Sequence, residues 1–136
     1  MAPRPRPAEA PDARAKGQVI VVQRTPQYLR TRIVGHFDAG TARELLEILD
    51  AWSAKRTHLT AFHDCSGLVD YDVDAREIVM RWSRANLASF AAVHLLVESR
   101  VIDWVIRIIA TVMAGKLVSH RTRFSFDAAN ARHLAR

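Results

Sequence analysis

Apolar residues in this chain follow two rhythms. Residues 19–23 (VIVVQ) are a short β-branched run. Residues 28–35 (YLRTRIVG) alternate, with Leu29, Thr31 and Ile33 on one side and Arg30 and Arg32 on the other. A proline lies in the break between them, so the two segments predict a β-hairpin. Residues 41–52 then change period: Ala42, Leu45, Leu46, Leu49 and Trp52 recur at helical spacing. Thr41 followed by Glu44 fits a capping box and predicts the helix start. Residues 58–64 (HLTAFHD) read as a buried strand. Residues 74–87 read as a second helix, with Ile78, Val79, Trp82 and Ala85 inward. The apolar run 90–98 is bounded by charge, as in a central strand. Residues 100–116 predict a third helix with Gly115 as its C-cap, residues 122–126 a last strand, and residues 127–135 a short helix capped by Asp127.

The order β-β-α-β-α-β-α-β-α predicts an α/β fold. Its sheet is mixed and mostly parallel, with about five strands flanked by about four helices. Residues 1–17, rich in Pro, Arg and Ala, predict a disordered tail, and residues 18–136 a single domain. With 49% hydrophobic residues the chain can build one core around a sheet. No apolar run reaches the roughly 20 residues that span a bilayer. The start of the chain lacks the apolar stretch of a secretory signal, and there is one cysteine, so a reducing cytoplasm is the expected location. The formal charge of +6 is spread along the chain and its ends. No element interleaves basic and aromatic residues, so nucleic acid is not an expected partner.

The densest chemistry lies in residues 63–77, HDCSGLVDYDVDARE. Asp70, Asp72 and Asp74 have the spacing that opens an EF-hand loop. That loop needs glycine at its sixth position and glutamate at its twelfth, and these are Ala75 and Arg81. A looser divalent site from two of the aspartates is the alternative; the reading adopted is no metal and no cofactor. Asp74 with Glu77 instead fits a helix N-terminus, where carboxylates meet free N–H groups. Cys65 has His63 and Asp64 beside it, but neighbours in a strand point to opposite faces, so no dyad follows. Tyr71 stands where a cysteine-phosphatase loop needs arginine. There is no nucleophile elbow and no phosphate-binding glycine loop. No catalytic residue is assigned, and the chain is not expected to be an enzyme. The six histidines lack zinc-ligand spacing, and His94, inside an apolar strand, reads as a satisfied core or edge residue.

The third helix is apolar nearly all round. Val101, Trp104, Val105, Ile108 and Val112 form one stripe, Ile102, Ile106, Ile109 and Met113 another. Only Asp103, Arg107 and Thr111 supply a polar line. A helix resting on a sheet needs about 100° of apolar surface. Either the helix is almost wholly buried in its own domain or part of it meets something else. The expectation adopted is a face at Ile102, Trp104, Ile106, Ile109 and Met113 that meets a second copy of the chain or, alternatively, a lipid or membrane surface.

Three features together resemble the SpoIIAA-like branch of the STAS superfamily, a fold also compared with the CRAL-TRIO lipid-binding fold. They are the strand ending in HDCSGL, the acidic turn YDVDAR opening a helix, and an apolar strand before a very hydrophobic helix. The resemblance covers about residues 18 to 130. In STAS domains of the anti-sigma-antagonist type, a partner kinase phosphorylates a serine at the helix start. Here Asp64, Ser66, Gly67 and Leu68 match the first motif, whereas the second falls on Asp72, Val73, Asp74 and Ala75, so its serine positions are lost. Asp74 puts a smaller, permanent negative charge there. The resemblance implies a non-catalytic regulatory domain that binds a protein partner through residues 67–77. Asp64, Ser66, Asp70, Asp72 and Asp74 are the expected contacts, with self-association through residues 101–113. The alternative is a membrane-peripheral protein that contacts lipid or another apolar ligand.

Overall fold

The computed structural model describes residues 16–136, apart from the side chains of residues 101, 104 and 105. The expected disordered tail, residues 1–17, therefore lies almost wholly outside the described residues. Its last two do not: Lys16 bridges to His36, and Gly17 sits so close to His36 O and Thr41 that a Cβ would not fit.

Strands β1 (Gln18–Thr25) and β2 (Tyr28–Phe37) form the hairpin. Then follow α1 (Ala39–Ser53), β3 (Leu59–Tyr71), α2 (Val73–Asn86), a single 3-10 turn (Leu87–Ser89), β4 (Phe90–Leu96), α3 (Arg100–Val112), β5 (Leu117–His120) and α4 (Arg123–Leu134). The five strands lie in the order β1-β2-β3-β4-β5, antiparallel between β1 and β2 and parallel thereafter. The expected mixed, mostly parallel α/β sheet with four helices is thus what forms.

Each face of the sheet has its own core. Leu29, Ile33, Leu59, Ala61 and Cys65 pack against Leu45, Leu49 and Trp52 of α1 and against Ile102, Ile106, Ile109 and Met113 of α3. Val79 and Trp82 of α2 close that layer. On the other face Tyr28, Phe62 and Leu96 pack against Phe126 and Ala129 of α4. The strict alternation of β2 and β3 divides the two sets. His63, on the α1–α3 face, is buried and bonded through Nδ1 to Thr31 Oγ1 at 2.6 Å.

Several boundaries differ from those the sequence predicts. Helix α1 is capped by Asp38, not Thr41: Asp38 Oδ1 accepts from Thr41 N and Thr41 Oγ1, each at 2.8 Å. Thr41 is the third helical residue, so the reciprocal box with Glu44 does not form. Strand β3 does not end at Asp64. It runs to Tyr71, paired with β2 through Val34–Gly67 and His36–Asp70. Two register shifts absorb the extra length, and Gly67 allows the close pass: a Cβ there would lie 2.6 Å from Val34 Cγ1. Helix α2 therefore begins after Asp72, not Asp74, and Ala85 is exposed, its inner face being Ala75, Val79, Trp82 and Ser83.

The end of the chain also differs. Residues 123–126 are helix, because Thr122 Oγ1 accepts from Ser125 N and caps α4. Phe126 is fully buried, whereas Phe124 is 85% exposed. The last strand is β5, which starts five residues before the expected one. It follows a reversal in which Ala114 and Gly115 both have positive φ. Gly115 stands two residues beyond the true C-cap, Met113.

Candidate functional site

The five residues expected to meet a partner separate into two groups. Asp64 is at the centre of β3 on the α4 face, and its side chain is only 3% exposed. Its Oδ1 accepts from Ser66 N at 3.0 Å and Ser66 Oγ at 2.6 Å, and its Oδ2 from Arg123 Nη2 at 2.9 Å. Arg123 Nη2 also reaches Ser66 Oγ at 3.2 Å, and Arg32 Nε lies 3.9 Å from Oδ2. Burial works against ionisation of Asp64, yet the bonds from Ser66 and Arg123 outweigh it and hold the carboxyl below its usual value. This pair is a clamp that fastens the start of α4 to the sheet.

Asp70 and Asp72 form the second group. Both face His36: Nε2 is 2.8 Å from Asp72 Oδ1, and Nδ1 is 3.9 Å from Asp70 Oδ2. The two carboxylates are about half exposed, and Asp74 in the first turn of α2 is exposed too. Asp72 sits at the N-cap of α2 but makes no side-chain cap bond, because His36 takes its carboxylate. His36 is the residue that brings this rim together, and nothing in the sequence around it announces that role.

No nucleophile is assembled. His63 and Cys65 lie two residues apart and face the same side, Asp64 the other. Burial pulls the His63 imidazole down to about 4, so it is neutral at pH 7. Burial, and then the Asp64 charge, push the Cys65 thiol up to about 12, so it stays protonated. Among the described residues, no group of three or more His, Cys, Asp or Glu is placed to hold a metal ion. Nor is any helix long and apolar enough to cross a membrane.

The face of α3 expected to be exposed is not. Ile102, Ile106, Ile109 and Met113 are between 3% and 9% exposed. They are the inner face of the helix, so they are covered by their own domain and offer no surface to a second copy. The side chain of Trp104, expected on the same face, lies outside the described residues. The outward line is Arg107 and Thr111, with Asp103 held by Arg107 and Arg121. The periodicity shows an apolar surplus without its direction, and the core beneath the sheet takes the stripe of Ile102, Ile106, Ile109 and Met113.

These four side chains wall a cavity of about 110 Å³ between the sheet and helices α1, α2 and α3. His63 and Cys65 form part of its floor, and Leu45, Leu49, Val79 and Trp82 part of its sides. The lining is almost wholly apolar. The exception of consequence is Arg76 on α2, whose Nε is buried without a hydrogen-bond partner and whose Nη2 reaches only Glu77 at 3.4 Å. Arg76 escapes the sequence reading because charge on an amphipathic helix is normally assigned to the wet face. The sign of its position is its place between Ala75 and Val79, both inward.

No protein-family model matches the chain, and no curated protein matches it. Among solved structures, it is similar to an uncharacterized protein of the DUF3478 family from Shewanella loihica PV-4, described as having a SpoIIAA-like fold. The TM-score is 0.61 at 14% sequence identity, over 80% of this chain and 89% of that one. At that identity the likeness is one of fold. With five strands in one mixed sheet and four helices, the chain has the SpoIIAA-like fold.

Proposed function

We propose that the domain is a non-catalytic STAS-like binding module whose ligand is a small amphipathic molecule. Its apolar body would occupy the space between the sheet and α1–α3, with an anionic or acceptor end toward Arg76. The observation that carries this reading is the cavity itself. Protein interiors are close-packed, and a void removes dispersion contacts from every lining atom. Apolar cavities of roughly 150 Å³ stay dry and take up benzene or xenon. This one is of similar size, and an unpartnered Arg76 Nε beside it lacks an acceptor.

The test is a titration with hexanoate, followed through the methyl signals of Ile102, Ile106, Ile109 and Met113. Saturable shifts are expected in about the millimolar range, as a ligand of so few atoms allows. Hexanol should bind several-fold more weakly, and Arg76→Leu should erase that difference. Val79→Phe, which fills the space from its edge, should weaken hexanoate at least about tenfold while leaving the fold intact. Binding that is unchanged by Val79→Phe, or no saturable methyl shift at all, removes the proposal.

A second reading is docking of a protein partner on the acidic rim. It is supported by the half-exposed carboxylates of Asp70 and Asp72 beside the exposed Asp74. Rim charges act mainly on association rate and salt dependence. Charge reversal at the three positions should leave melting within about 1 kcal/mol and abolish capture of the partner. Recovery of the same partners by the reversed variant rules this reading out. A homodimer, if formed in solution, would need a surface other than the buried stripe of α3.

A further inference from the structure

We propose that the groove under the C-terminal half of α4, on the sheet face opposite the apolar cavity, is a second binding site, for a compact phosphate-type oxyanion on a small soluble molecule. The groove encloses about 440 Å³. Its floor is Thr60 of β3 with Ala92 and His94 of β4, and its roof is Ala129, Arg132, His133 and Arg136. Ala129, Arg132 and His133 lie at i, i+3 and i+4 on one face of α4, and Arg136 follows just beyond the C-cap Ala135. Alanines at positions 91, 92 and 129 make the room. His58, which holds a positive φ just before β3, completes the rim. Two arginines and three histidines thus line it, and no Asp or Glu side chain does among the described residues. The nearest acidic residue on α4, Asp127, is already paired with Arg30.

Behind His94 of the floor runs a hydrogen-bonded relay. Ser125 Oγ lies 2.6 Å from His120 Nδ1, and His120 Nε2 lies 2.9 Å from His94 Nδ1. His94 stacks flat on Phe62 with ring centroids 4.3 Å apart, so its plane is fixed. With Nδ1 held by His120, Nε2 is the nitrogen of His94 that a ligand in the groove can reach. Two neutral arrangements satisfy the relay. In one, His94 Nδ1–H donates to His120 and Nε2 is a bare acceptor. In the other, Ser125 O–H donates to His120 Nδ1, His120 Nε2–H donates to His94 Nδ1, and His94 Nε2–H is a donor. An oxyanion selects the second arrangement, and the arginines supply the charge-assisted bonds.

The electrostatics agree. Burial, and then the positive charges of His120, His133 and Arg132, hold the His94 imidazole down to about 4. Burial and Arg132 lower His120, and burial and Arg136 lower His133. The groups that face His94 from β5 and α4 are therefore basic, and a bound anion relieves them. Binding should favour the protonated imidazoles and so draw protons onto the site.

The experiment titrates inorganic phosphate and glycerol 3-phosphate into the full chain at pH 6.5 and constant ionic strength. The ring signals of His94 and His133 are followed, with heats measured in two buffers of different ionisation enthalpy. The expected result is saturable shifts at both rings, a heat difference that reports proton uptake, and at least about tenfold weaker binding in Arg132→Ala/Arg136→Ala at unchanged melting temperature. A response equalled by chloride overturns the site, as does a double variant that binds as well as the native chain. Binding seen only with phosphatidylglycerol vesicles, and not with soluble phosphates, overturns the assignment to a small soluble molecule.

Discussion

Asp64→Ala is expected to destabilise the domain by about 3 kcal/mol, a fall in melting temperature of about 10 °C for a chain of this size. The carboxylate is buried and satisfies four contacts, from Ser66 N, Ser66 Oγ, Arg123 and more distantly Arg32. Its removal leaves the Ser66 donors without their acceptor and frees the first turn of α4 from β3. Arg123→Ala should cost less, about 1 kcal/mol, because that guanidinium is half exposed and Asp64 keeps Ser66.

The acid limb of the stability curve separates Asp64 from its neighbour. Asp64 has a carboxyl held below its ordinary value in the folded state, so its contribution is present above pH 4 and disappears as pH falls through the folded value. His63 is a base held to about 4 instead of 6.5. The unfolded chain therefore takes up that proton first, and stability declines from about pH 6.5 down to about 4, by up to about 3 kcal/mol from His63, with His94, His120 and His133 adding to the decline in the same direction. Thermal melts of Asp64→Ala between pH 8 and 3 should retain this histidine decline and lose the further fall below it. If the two curves are parallel throughout, the Asp64 ion pair does not contribute as described.

How much of this was legible in the sequence depended on whether local pattern and tertiary packing agreed. The hairpin, α1 and β4 agreed, because Leu29, Thr31 and Ile33, then Leu45, Leu49 and Trp52, bury on the side their period indicates. Residues 122–126 did not. Phe124 and Phe126 alternate as a strand would, but five residues are too few to separate period 2 from the first turn of a helix, and the Thr122 cap decides. In β3 the apolar run stops the expected strand at Asp64, whereas the bulged pairing to β2 lets it continue to Tyr71. The acidic cluster was visible as composition. Its division was not, because which of Asp64, Asp70, Asp72 and Asp74 is buried depends on Arg123 and His36, distant in the chain. The His94–His120 relay likewise joins two strands and a helix that no local motif links.

The largest effect is expected at the greasy helix. Ile106→Asp should unfold the domain or leave a loosened state that binds apolar dyes and has lost its near-ultraviolet signal. Ile106 is 8% exposed and packs in the core beneath β3 and β4. Replacing it removes about 2–4 kcal/mol of apolar burial and packing. It also introduces a carboxylate that must be desolvated or protonated, a further cost of several kcal/mol. Together these approach the whole stability of a typical domain, about 5–15 kcal/mol. Thr111→Asp, on the exposed line of the same helix, should change stability by no more than about 0.5 kcal/mol. Circular dichroism and light scattering on both variants distinguish two roles for the stripe. A core stripe gives an unfolded Ile106→Asp and an unaltered Thr111→Asp. A folded Ile106→Asp that changes only the oligomeric state would place the stripe at an interface, and the 110 Å³ cavity would then belong to an assembly and not to a ligand.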